Sequence, residues 1–224
     1  MITLSKHILV SFILCLLFSQ SKGQSDSANG FLKIKNDIFW DTQDGGPIYS
    51  QGGGIFSFKD PEDGKTKYFW YGAKYQESEK YRIDPSVTPE RDNFVSVTCY
   101  VSTDLVNWTS RGDVLTLDEL NRNYTQTRWA GRLGVAYIKE IDKYALLIQH
   151  NDQLLVTLSE SPNGPFKWHR RIDMTAMIGT SNTGDQTVFT DEDTGKSYLV
   201  YSYGRGRNKI YISQIGIKDG KVGL

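Results

Sequence analysis

The sequence has few of the residues from which metal centres and nucleophilic sites are usually built. It contains 2 cysteines and 3 histidines in 224 residues. His7 lies near the amino terminus, and His150 and His169 are interpreted as structural or surface residues. A histidine-based metal site or catalytic triad is therefore not expected. No cofactor is predicted, with a structural calcium ion left open as an alternative.

The chain also lacks an excess of charge of either sign. Lys and Arg number 26, Asp and Glu number 26, and the formal net charge is +0. Such a chain sets up no long-range field to attract nucleic acid or an anionic membrane. A nucleotide-binding loop is not expected either, because Gly52–Gly54 lead into a predicted strand and not into a helix. The composition favours a neutral partner.

A long apolar run occurs once, from Ile8 to Phe18. Lys6 and His7 precede it, and the small residues of Ser21–Gly23 follow it. This order is typical of a secretory signal peptide. We predict that the protein is secreted or periplasmic and that its mature form has no membrane attachment.

The predicted domain organisation follows from that segment. Residues 1–23 form the signal peptide, 24–30 a flexible leader and 31–224 a single domain. Removal of the signal peptide takes Cys15 with it, which leaves Cys99 without a disulfide partner. We interpret Cys99 as a small buried residue on a strand.

Aromatic residues, by contrast, are plentiful at 12%, and they occur in short runs with β-branched residues. Asp185 stands just before a run at 188–190, and an acidic, Gly-containing segment separates that run from another at 197–202. This arrangement predicts a β-hairpin, with Asp185 near the start of its first strand. Hairpins of the same kind are predicted at 55–72 and 135–148.

Strands of a second kind are predicted at 97–101, 154–158 and 209–213. The first two are followed by turn segments that end on Trp108 and Trp168. The two kinds of hairpin alternate three times along the chain, as they do when successive four-stranded sheets form the blades of a β-propeller. The predicted fold class is all-β, of the propeller type, with about three blades present. A β-sandwich is the alternative.

Three further segments carry weaker signals. The alternation across 31–40 predicts a strand, and residues 76–93 are interpreted as a long loop between hairpins. Residues 118–127 predict a short helical or irregular excursion.

Together these features resemble glycoside hydrolase family 43. The motifs that carry the resemblance are the Asp185 hairpin and the turn segments Ser102–Trp108 and Ser159–Phe166. The resemblance implies a five-bladed β-propeller, of which this chain holds about three blades. Gly52–Gly54 are similar to a glycine pair in the branch of the family that contains exo-β-1,3-galactanases.

The resemblance also implies a chemistry. Members of the family invert the anomeric centre with a general acid Glu, a base Asp and a further Asp that orients the acid, and Asp185 matches this last position. The implied function is hydrolysis of a galactose- or arabinose-containing polysaccharide. A non-catalytic carbohydrate-binding propeller and a structural or partner-binding propeller are the alternatives.

The sequence departs from the family pattern at three places. No base Asp is found in the first blade, where Gln51 is the nearest polar residue. Arg132 is kept from a substrate-contacting motif of the galactanase-like branch, but Gly131 stands where that branch has Glu. The general acid is expected in a fourth blade beyond Leu224, so this chain is interpreted as incomplete.

The predicted site lies in one central depression, because first-kind hairpins of successive blades begin at the propeller axis. Asp185 is the candidate catalytic residue. The candidate substrate-binding residues are polar or aromatic and lie near the starts of inner strands: Gln51, Tyr71, Trp129, Arg132 and Gln186.

Overall fold

The structure is a computed structural model and describes residues 32–86, 93–126 and 129–224. Within these ranges twelve strands form three antiparallel sheets of four strands, each joined in simple chain order. The first sheet comprises β1 (Gln51–Lys59), β2 (Thr66–Tyr75), β3 (Phe94–Ser102) and β4 (Thr109–Thr116). The second comprises β5 (Leu133–Ile138), β6 (Lys143–His150), β7 (Gln153–Ser159) and β8 (Lys167–Ile172). The third comprises β9 (Thr183–Thr190), β10 (Ser197–Tyr203), β11 (Ile210–Lys218) and β12 (Lys221–Gly223).

Helical structure in the described ranges is limited to short connections. These are α1 (Ser78–Ile83), α2 (Leu117–Asn121), α3 (Thr175–Ile178) and one 3₁₀ turn at Lys139–Ile141. No helix in the described part of the chain is long and apolar enough to cross a membrane. The all-β prediction with three four-stranded units is confirmed.

The β1–β2 and β9–β10 turns close by the same local chemistry. Asp60 accepts a hydrogen bond from the backbone N–H of Glu62 at 3.1 Å, and Asp191 accepts one from Asp193 at 3.0 Å. Gly64 and Gly195 then take φ values of 70° and 67°, in the left-handed region that glycine adopts without strain. The acidic, Gly-containing segments therefore form turns, as predicted.

The core consists of two apolar layers, one on each side of the second sheet. Leu146 and Ile148 pack with residues of the first sheet such as Phe69, whereas Leu147 packs with Leu199 of the third sheet. Successive residues of a strand point to opposite faces, so the continuous apolar run of β6 fills both layers. The second sheet thus holds the other two in place.

Two expectations for the connections need correction. The predicted strand at 31–40 is wrong for the described residues 32–40, which are irregular and mostly exposed. A strand needs a neighbour for its backbone N–H and C=O groups, and no described strand lies beside this segment. The loop at 76–93 contains helix α1, while the excursion at 118–127 is confirmed in its first part as α2. The predicted signal peptide and leader lie outside the described residues.

Candidate functional site

A polar depression of about 200 Å³ lies where the first strands of the three sheets come together. Strand β5 lies beside both β1 and β9, so residues at the starts of these strands share one surface. The lining is mostly polar and comprises Gln51, Gly52, Tyr75, Trp129, Ala130, Gly131, Arg132, Gln149, Asp185 and Arg207.

Asp185 is held between two guanidinium groups. One carboxylate oxygen accepts a hydrogen bond from Nε of Arg132 at 3.3 Å, and the other accepts one from Nη1 of Arg207 at 2.9 Å. The side chain of Asp185 is 48% exposed. The two pairs fix the direction of the carboxylate while leaving it accessible from solvent.

The two arginines reach Asp185 from different sheets. Arg132 precedes β5 and is fixed by a backbone hydrogen bond from Gln149 N–H to its carbonyl at 3.0 Å. Arg207 lies in the turn between β10 and β11, where its N–H bonds the carbonyl of Tyr203 at 3.1 Å and its φ is 50°. Asp185 therefore links the second sheet to the third.

Two glycines near this site lie so close to neighbouring atoms that a side chain would not fit. A Cβ on Gly53 would lie 1.6 Å from the carbonyl oxygen of Tyr71, so only glycine fits in that strand pairing. A Cβ on Gly131 would lie 2.3 Å from Oε1 of Gln149. The Glu that the family resemblance places at this position therefore has no room unless the side chains of Gln149 and Trp129 move.

Gln149 was not singled out from the sequence. Its Nε2 donates to the carbonyl of Thr183 at 2.7 Å, which joins the ends of β6 and β9 beside Asp185. The sequence feature that could have indicated Gln149 is a polar residue directly after the apolar run of strand β6. Arg207 was also missed, and its signal was the Gly- and Arg-rich segment 204–207 between two strands of the Asp185 sheet.

The structure brings four of the predicted site residues together and separates two. Gln51, Trp129, Arg132 and Asp185 all line the depression, and Asp185 lies within β9 and not just before a strand.

Tyr71 and Gln186 lie in the interior instead. Tyr71 is fully buried, and its hydroxyl donates to the carbonyl of Pro162 at 2.6 Å. Gln186 follows Asp185 in β9, so its side chain points to the opposite face, where it accepts from the hydroxyl of Thr183 at 2.6 Å. Gln186 does lie near the start of its strand, but strand alternation turns its side chain away from the depression, whereas Tyr71 lies in the middle of β2 and packs in the core.

His150 lies directly after Gln149 but serves the fold. It is fully buried, and its Nδ1 accepts a hydrogen bond from Nη1 of Arg171 at 2.7 Å. Burial, together with the positive charge of Arg171, lowers the pKa of His150 to about 4, so the ring is neutral at physiological pH. Across the described ranges, no three His, Cys, Asp or Glu side chains come close enough together to hold a metal ion.

Comparison with known proteins adds a family and a fold. The family model described as glycosyl hydrolases family 43 matches residues 47–222. A search of the curated proteins gives no match.

Among solved structures, the chain is similar to an exo-β-1,3-galactanase from Clostridium thermocellum, with 24% identity and a TM-score of 0.62 over 85% of this chain. It is also similar to an exo-β-1,3-galactanase from Phanerochaete chrysosporium bound to galactose, with 20% identity and a TM-score of 0.61 over 81% of this chain. In both cases the chain spans 39% of the length of the matched structure. The likeness shows that the three sheets correspond to part of a larger β-propeller of this type.

Proposed function

This chain belongs to glycosyl hydrolase family 43, and we propose from that premise that it is part of a glycosidase acting on a galactan-type polysaccharide. The observation that carries the proposal is the polar depression in which Asp185 is oriented by Arg132 and Arg207. The choice of galactan is supported by the names of the similar structures, which are β-1,3-galactanases.

The lining of the depression suits a neutral sugar. Gln51, Arg132 and Arg207 supply hydrogen-bonding groups for hydroxyls, and the indole of Trp129 supplies an aromatic face for the apolar side of a ring. At about 200 Å³ the space is smaller than the roughly 300 Å³ at which sites for drug-sized ligands begin. We infer that it takes one sugar residue at the end of a chain.

In this proposal Asp185 positions the reacting groups. Inverting hydrolysis uses two carboxyl groups about 6.5–9.5 Å apart, one as acid and one as base. Among the described residues that line the depression, Asp185 is the one carboxylate. We propose that the general acid is supplied by a part of the protein other than the described residues at this site.

The proposal also includes export. The predicted signal peptide at 1–23 supports it, and polysaccharides are met outside the cell. Amino-terminal sequencing of exported protein is expected to begin near Gln24, and material that begins at Met1 would contradict this part of the proposal.

The test is an assay of the 224-residue chain on β-1,3-galactan, arabinan and nitrophenyl galactoside, together with calorimetric titration of galacto-oligosaccharides. We expect binding of galacto-oligosaccharides without appreciable hydrolysis, because the described lining of the depression holds no second carboxyl group to act as the general acid. General acid catalysis is worth about 10² to 10⁴ in rate. Turnover that depends on Asp185 would show that the acid lies within this sequence. Failure to bind any of these sugars would overturn the proposed function.

A non-catalytic carbohydrate-binding protein is the second candidate. The pairing of Asp185 with two cations favours this second candidate. A general acid must stay protonated, and an unpaired Asp185 would help by raising the pKa of that acid, but the two arginines offset its negative charge. Sequencing the genomic DNA past the Leu224 codon separates the two candidates. A following strand that begins with Glu supports the glycosidase, and its absence supports the binding protein.

A further inference from the structure

A second cavity, of about 620 Å³, opens directly beside the central depression. Gln51 and Tyr75 line both spaces, so the two are neighbours. The walls of the second cavity are mainly aromatic and include Phe39, Trp40, Tyr49, Trp70 and Tyr81. We call this cavity the aromatic groove.

The rings of the aromatic groove are held in place by contacts between segment 38–41 and helix α1. The guanidinium of Arg82 lies 5.5 Å from the ring centre of Phe39 and donates to the carbonyl of Trp40 at 3.2 Å. The same guanidinium pairs with Asp41 at 2.5 Å. Phe39 in turn meets Tyr81 edge to face, with ring centres 5.9 Å apart. These contacts fix the positions of the rings that form the outer wall of the groove.

The inner wall is formed by Trp40 against Trp70, with ring centres 5.7 Å apart. Polar groups lie among these rings. Gln51, Glu77 and Ser78 also line the groove. Aromatic faces with a few polar groups between them match the two faces of a sugar ring, one apolar and one bearing hydroxyls.

We propose that the aromatic groove binds the sugar residues that follow the one in the central depression, on the same neutral glycan chain. This inference rests on the proposed function. It is supported by the shared lining of Gln51 and Tyr75, which sets the groove directly beside the depression. The groove has about three times the volume of the depression, so it has room for two or three further sugars.

The test is calorimetric titration of the purified chain with galactose, β-1,3-galactobiose and β-1,3-galactotriose. We expect the trisaccharide to bind about tenfold more tightly than galactose, a difference of about 1.4 kcal/mol, because only the trisaccharide reaches the rings of the groove. Phe39→Ala and Tyr81→Ala, at rings that are 43% and 45% exposed, are expected to remove this gain and leave the affinity for galactose unchanged.

Phe189→Ala is the matched control, because Phe189 is 56% exposed on the third sheet and does not line the groove. This variant is expected to keep the full gain. Tryptophan fluorescence of the unmodified chain gives a second readout that needs no variant. Galactose is expected to change the fluorescence of Trp129 alone, and the trisaccharide is expected to add a further change from Trp40 and Trp70.

Equal affinities for galactose and the trisaccharide, with no fluorescence difference between them, would overturn the aromatic groove while leaving the proposed function standing. A gain that survives both Phe39→Ala and Tyr81→Ala would also overturn it. Absence of binding by every sugar would overturn both proposals together.

Discussion

Two aspartates in this molecule are each held by two cations, yet their surroundings differ completely. Asp60 lies in the β1–β2 turn and is fully buried, with Lys67 and Arg111 each 2.8 Å away. Asp185 lies in the central depression and is 48% exposed, paired with Arg132 and Arg207. Each aspartate faces two cations, and burial is the main difference between the two clusters.

Burial decides what each cluster can do. Around Asp60 the partners are themselves largely covered, with Lys67 14% and Arg111 17% exposed, so loss of one charge leaves the others desolvated. Around Asp185 water can replace any partner at small cost. The first cluster therefore stabilises the fold, whereas the second is free to exchange a protein contact for a ligand contact.

The largest expected effect is on folding. Asp60→Asn removes the buried carboxylate and leaves Lys67 and Arg111 paired only with the more exposed Asp63 and Glu62, so it is expected to lower the free energy of unfolding by about 3 kcal/mol. Urea denaturation followed by circular dichroism measures this. Asp63→Asn is the matched control, because Asp63 also pairs with Lys67 but is 37% exposed, and it is expected to cost at most about 1 kcal/mol. Equal costs for the two variants would break the comparison.

A smaller effect is expected from pH. Burial by itself raises the pKa of Asp60, but hydrogen bonds from Lys67, the Glu62 backbone and Arg111 outweigh it and lower the pKa to about 2. Because the folded value lies below the unfolded value of 3.8, the stabilisation is fully present above about pH 4 and is lost as the pH falls through about 2. The shift corresponds to about 2 kcal/mol.

Urea denaturation at pH 5, 3 and 2 of the unmodified chain and Asp60→Asn isolates this contribution from those of other carboxylates. The stability difference between the two proteins is expected to shrink by about 2 kcal/mol as the pH falls. A difference that stays constant would show that Asp60 does not titrate in this window.

The smallest expected effect on folding is at Arg207, whose side chain is 61% exposed. Arg207→Gln removes one of the two pairs to Asp185 and is expected to change the free energy of unfolding by less than about 1 kcal/mol. Galactose affinity, measured by calorimetry on the same sample, is expected to fall, because Asp185 loses one of its two orienting donors. An unchanged galactose affinity would show that Arg207 does not contribute to sugar binding.

Much of the fold could be predicted because each hairpin is encoded locally. The runs at 188–190 and 197–202 are β-branched or aromatic, and the segment between them offers Asp191 and Gly195 to a tight turn. The segment at 32–40 could not be placed in this way, since alternation supplies a strand pattern but not the neighbouring strand that its backbone requires.

The sequence predicted the place of the depression better than it predicted which side chains line it. Asp185 and Arg132 were predicted from the family resemblance and from strand starts that converge at one axis, and both line the depression. Gln186 also lies near a strand start, but its side chain points to the other face of β9, because neighbouring residues of a strand alternate. Tyr71 lies in the middle of β2 with its side chain in the core. Arg207 reaches the depression from a turn with a positive φ, and the Gly- and Arg-rich segment 204–207 indicates a turn but not which of its side chains enters the depression.

Asp185→Asn tests the central claim most directly, because it changes the charge at the depression while keeping the shape of the side chain. Urea denaturation and calorimetric titration with galactose are made on one preparation, with Asp60→Asn titrated in parallel under conditions where it is folded. We predict that Asp185→Asn lowers galactose affinity about tenfold with a loss of stability below about 1 kcal/mol, while folded Asp60→Asn binds galactose normally. Normal galactose binding by Asp185→Asn, or a stability loss as large as that of Asp60→Asn, would contradict the account.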